Sequence, residues 1–132
     1  MKVLRNDSTE ELELSGSRSE LLALSQTLRN GDGESLLTEV SDPFPYSRSL
    51  SRIEVRQTSG KVSISPSRDG DSLSVEGRLD SLCLLAENIE GFAFDAAQGD
   101  HLHVDYFPEH DYLARGSGSL VVAIDSDAAQ AS

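Results

Sequence analysis

Apolar positions in this chain fall into two runs that pass through the same periods in the same order. In the first, Val3 and Leu4, then Leu12 and Leu14, sit among polar residues at strand spacing, and Leu21, Leu24 and Leu28 follow at helix spacing. In the second, Val62 and Ile64, then Leu73 and Val75, lead into Leu82, Leu85, Ala86 and Ile89. The shift between Leu12-Glu13-Leu14-Ser15-Gly16 and Leu73-Ser74-Val75-Glu76-Gly77 is 61 (73 − 12), and it persists from strand into helix. Lys2-Val3 matches Lys61-Val62 once a turn gains two residues. Further on, Pro43 and Tyr46 match Pro108 and Tyr112, and Ile53 and Val55 match Val122 and Ile124.

Local signals place the boundaries. Asn6-Asp7-Ser8-Thr9 and Asp69-Gly70 read as turns, the second because glycine takes φ > 0 freely. Ser17 and Glu20 have the spacing of a capping box, and Asn30-Gly31 ends that helix. The second helix starts on Arg78 and Ser81, a weaker cap, with Gly91 as its expected stop. Strands are expected at 36–40 and 51–56, and again at 101–106 and 120–124. These elements predict an α+β fold of two tandem ββαββ repeats, residues 1–58 and 61–125, within one domain spanning 1–132. The expected sheet is mainly antiparallel, of about eight strands, with two helices on one face. The pattern leaves open whether it splits in two, and any pair of amphipathic hairpin-plus-helix units would share this order. Residues 126–132 are small and polar, and are expected to fray.

Composition narrows the function classes. With 132 residues and 37% hydrophobic content, the chain supports one modest core. A formal charge of −12 opposes phosphate backbones and argues against a nucleic-acid partner. It suits a basic protein partner, or simply solubility. Cys83 is the only cysteine, which excludes an internal disulfide and a cysteine zinc cluster; it reads as a small apolar filler. No signal-peptide pattern and no membrane-spanning run is present, so the expectation is a cytoplasmic protein with no membrane association.

The densest group of chemically capable side chains lies in 100–112 and holds all three histidines. On a strand, His101, His103 and Asp105 project from one face while Leu102, Val104 and Tyr106 pack on the other. Two imidazoles and a carboxylate suit zinc or iron, which makes a metal-dependent enzyme one reading. A solvated outer strand face is the plainer one. Phosphate-cradling loops, nucleophile elbows and dinucleotide fingerprints are absent, so no cofactor and no catalytic residue is expected.

The segments 84–92, 99–108 and 119–124 resemble the immunity protein 32 family of bacterial polymorphic toxin systems. The resemblance lies mainly in the second run. It implies a small α+β protein that neutralises a toxin encoded nearby, hence protein binding rather than turnover. Acidity suits a basic toxin as partner. The contact surface is expected on the wet strand face and following loop: His101, His103, Asp105, Phe107, Glu109, His110, Asp111 and Tyr112, with Tyr106 more buried than exposed. A self-associating module, a homodimer through sheet edges, remains the third class.

Overall fold

The computed structural model describes residues 1–67 and 70–125, so Asp69 of the expected turn and the 126–132 tail lie outside the described residues. Nine strands and two helices are described, in the order β1 (Lys2–Arg5), β2 (Leu12–Gly16), α1 (Arg18–Asn30), β3 (Gly33–Leu36), β4 (Arg48–Ser49), β5 (Arg52–Gln57), β6 (Ser63–Pro66), β7 (Ser72–Gly77), α2 (Leu79–Asp95), β8 (His101–Val104) and β9 (Leu120–Ile124).

The fold is α+β, but the strands form two mixed sheets rather than one. Sheet A runs β4-β1-β2-β9-β8 and sheet B runs β3-β5-β7-β6. Each contains one parallel pair. Leu12, Leu14 and Gly16 of β2 face Leu120, Val122 and Ile124 of β9, and Ile53 and Val55 of β5 face Leu73 and Val75 of β7. The remaining pairings are antiparallel. The hairpin before each helix therefore lies in a different sheet from the antiparallel pair that follows that helix, β3-β5 after α1 and β8-β9 after α2, while the short β4 returns to β1 in sheet A. These ladders equate Ile53 with Leu120 and Val55 with Val122, two residues from the match read in the sequence. A two-residue slip leaves the buried face unchanged, so alternation alone cannot fix it.

Local chemistry explains the ends of the elements. Asn6 Oδ1 accepts from Ser8 N at 2.9 Å and Thr9 N at 3.3 Å, an Asx turn between β1 and β2. The α1 box forms as expected: Glu20 N donates to Ser17 Oγ, and Ser17 N donates to Glu20 Oε1. Gly31 ends α1 at φ 74, its N–H donating to Leu28 O. By contrast, α2 has no side-chain cap, and it runs through Gly91 to Asp95 because Phe92 and Ala93 continue the packed stripe. The first residue of α1 closes that end, with Arg18 Nε donating to Ala93 O at 2.6 Å and Nη2 to Ala96 O at 3.3 Å. The strand expected at 36–40 instead occupies Gly33–Leu36, directly after the Gly31 turn, and leaves Leu36 79% exposed.

Leu21, Leu24, Leu82 and Leu85 meet in one buried cluster with the inner faces of both sheets. The helices pack against each other, and Arg29 pairs with Glu90 across them at 3.3 Å. Cys83 is half-buried at the margin. Among the described residues no helix is long and apolar enough to cross a membrane.

Candidate functional site

Sheet A presents an outer face that is half covered. On the β1-β2 side, Leu4 and Ser15 are buried although they point away from the core, and residues 37–50 run along the edge of β1. Leu50 N donates to Val3 O, Ser47 N to Arg5 O and Thr38 N to Met1 O. Tyr46 pins this loop by donating to Glu13 Oε2 at 2.5 Å. That bond to a carboxylate, then burial, then the charges of Glu13 and Glu11 push the phenol up to about 12. On the β9-β8 side Val121 and Ala123 are half-buried, and His101 and His103 are exposed.

The alternation expected for β8 is present: Val104 is buried, Leu102 and Tyr106 pack on the cluster, and His101 and His103 face solvent. The strand ends at Val104, so Asp105 stands beyond it. Four extended steps from residue 101 to 105 carry the chain about 13 Å, whereas zinc ligands converge to about 2 Å from the ion. Among the described residues no three His, Cys, Asp or Glu side chains are placed to hold a metal. His101, His103 and Asp105 are therefore not gathered into one ligand set. They divide between two grooves.

The first groove, about 510 Å³, lies between α2 and β8 and is lined by Glu87, Asn88, Gly91, Asp95, Asp100 and His101, among others. The second, about 620 Å³, is bounded by His103 and Asp105, by Thr9, Glu10 and Glu11 of the β1-β2 turn, and by residues 116–119. Among the described residues no lysine or arginine lines either groove. For the first groove the reason is visible in the chain: residues 79–114 hold Asp80, Glu87, Glu90, Asp95, Asp100, Asp105, Glu109 and Asp111 but no lysine or arginine. Glu10 in the second groove and Glu109 in the loop after β8 adopt φ 64 and φ 67, left-handed conformations that strain a residue bearing a Cβ.

The loop after β8 separates the expected contact residues. Phe107 (57% exposed), Glu109 and Asp111 face solvent, whereas His110 and Tyr112 turn inward. His110 Nδ1 accepts from Tyr112 N at 3.2 Å and Leu113 N at 3.0 Å, which assigns the ring proton to Nε2. Its carbonyl accepts from Lys61 Nζ at 2.6 Å, and its ring lies 4.6 Å from those of both Phe107 and Tyr112. His110 thus fastens the loop to the start of β6, where Val62 N also donates to Tyr112 O. Burial, then the Asp111 carboxylate, pushes the Tyr112 phenol upward. Neither side chain is available to a partner.

Sequence reasoning placed His101, His103, Asp105, Phe107, Glu109 and Asp111 on the surface side. It missed Glu10, Glu11, Glu87 and Asp95, which come from segments distant in the chain. The one signal that points to the last two is the acid-only run.

These features define an α+β protein with an edge strand flanked by carboxylates and no gathered metal constellation among its described residues. A family model described as Immunity protein 32 matches residues 72–124, from the start of β7 through α2 and β8 to the end of β9. The match takes in all three resembling segments and leaves the first half of the chain outside it. No curated protein and no solved structure matches the chain.

Proposed function

We propose that this chain is an immunity-type protein of the bacterial cytoplasm that binds and neutralises a cognate toxin, a basic one, by covering it rather than by turning over a substrate. The observation that carries this reading is that the family match falls on the segment that builds the acidic β8 side. His101, His103, Asp105, Phe107, Glu109 and Asp111 form the contact surface, with Phe107 as the aromatic anchor and the carboxylates speeding encounter with a cationic partner. The strained Glu10 and Glu109 fit a surface held ready for contact, since such conformations concentrate where binding occurs.

We also read the chain as one domain made of two ββαββ units. What supports this is the equivalence of the parallel pairs, β2 with β9 and β7 with β5.

Co-expression with the protein encoded beside it tests the function. The expected result is survival of cells that the neighbouring protein alone kills, together with binding that weakens as salt rises. A toxic neighbour that neither binds this chain nor is silenced by it would sink the reading.

A further inference from the structure

Two edge strands follow two helices in this fold, and only one of them lies directly against its helix. After α1, Gly31 turns the chain at once into β3, which packs against its helix; Thr27 Cγ2 lies 2.8 Å from where a Cβ on Gly33 would stand. After α2, residues 96–100 intervene, and α2 packs on β7 while the 510 Å³ groove lies between it and β8. Gly91 opens onto that groove, where an added Cβ would meet nothing within 4 Å. β8 is the last strand of sheet A, and among the described residues no strand pairs with its outer edge.

We propose that this groove takes an extended, basic segment of a partner protein, which joins sheet A as an added strand on the free edge of β8. Backbone bonds to β8 supply the affinity. The alternation of the incoming strand sets every second side chain toward Glu87, Asp95 and Asp100, so lysine or arginine at those positions is selected. Among the described residues Glu87 and Asp95 have no lysine or arginine within ion-pair distance, so their charge is free to act on the incoming strand. A second copy of this chain is the wrong occupant: pairing β8 with β8 would press two carboxylate-lined grooves together between molecules of formal charge −12. The inference deepens the toxin-binding reading and rests on it for the partner's identity, but not for the chemistry of the groove.

The test uses the full chain and two synthetic peptides, one alternating lysine with valine and one alternating glutamate with valine. The lysine peptide should bind and slow amide exchange at residues 101–104, and the glutamate peptide should not. Gly91→Leu fills the groove from an exposed helix position, where replacing glycine favours the helix. It should weaken the lysine peptide about tenfold or more without lowering Tm, while Glu34→Lys at the β3 edge leaves binding unchanged. Equal binding to Gly91→Leu, binding with no protection of 101–104, or a concentration-dependent dimer that protects 101–104 without peptide would each overturn the proposal. The two readings fail separately. A toxin that binds and leaves 101–104 unprotected removes the added strand but not the immunity function. A chain that takes the lysine peptide yet silences no toxic neighbour loses the function but keeps the groove.

Discussion

β3 begins two residues after α1 has ended on Gly31 and lies against that helix, whereas β8 follows α2 after a five-residue link and faces it across a groove. The surroundings differ in sign as well as in spacing. On the outer face of sheet B, Arg52 pairs with Glu54 at 2.9 Å and reaches Glu34 at 3.9 Å. Around α2, Arg29 reaches Glu90 and Arg18 caps backbone carbonyls, but among the described residues no lysine or arginine lies within ion-pair distance of Glu87 or Asp95. The same order of elements thus yields one edge where an arginine answers the nearby carboxylates and one where, among the described residues, Glu87 and Asp95 have no such partner. A few residues of linker are enough to separate an edge strand that lies against its helix from one that leaves a groove beside it.

The largest effects should be the ones the two halves share. Leu24→Ala and Leu85→Ala empty the same cluster from opposite helices, and each should cost about 2–5 kcal/mol in a single unfolding transition followed by both circular dichroism and tyrosine fluorescence. Two separated transitions would mean that the halves are independent, which would break the comparison. His110→Ala acts only in the second half. It leaves the buried N–H groups of Tyr112 and Leu113 without their acceptor, and a loss of about 1–3 kcal/mol is expected in denaturant titrations.

The helix starts sharpen the contrast at lower amplitude. Ser17→Ala should cost about 1 kcal/mol by removing the α1 cap, while Arg78→Ser should stabilise α2 by giving it the cap it lacks; opposite shifts in Tm check both. The smallest effect belongs to Tyr46. Its phenol is raised from the ordinary 10.0 to about 12, so the contribution of its bond to Glu13 is intact below pH 10.0 and lost as pH climbs through about 12. Phenolate absorbance should show a last titration step near 12 that Tyr46→Phe removes.

Much of this was legible in the chain. Ser17, Glu20 and Gly31 act at their own helix ends, where spacing of three or one residue decides the outcome. The β8 alternation is equally local. What the chain concealed was decided at a distance. Gly91 looked like a stop, but Phe92 and Ala93 find neighbours in the cluster, and packing outweighs the modest cost of one helical glycine. Residues 36–40 looked like a strand because Leu36 and Leu37 are apolar, yet pairing with β5 begins at Gly33. His110 and Tyr112 read as surface because their neighbours do, and only the turn made by the 107–113 loop sends them inward. The second groove joins residues 9–11, 103–105 and 116–119, a juxtaposition that no local pattern encodes.

The parallel pairing of β2 with β9 also orders events during synthesis. Sheet B is complete in strands once Gly77 has emerged, but β2 waits for residues 120–124. Until residue 124 has left the ribosome, Leu12 and Leu14 border an unfilled slot that another β-strand can capture. Mispairing of nascent chains at β2 is thus open until β9 arrives.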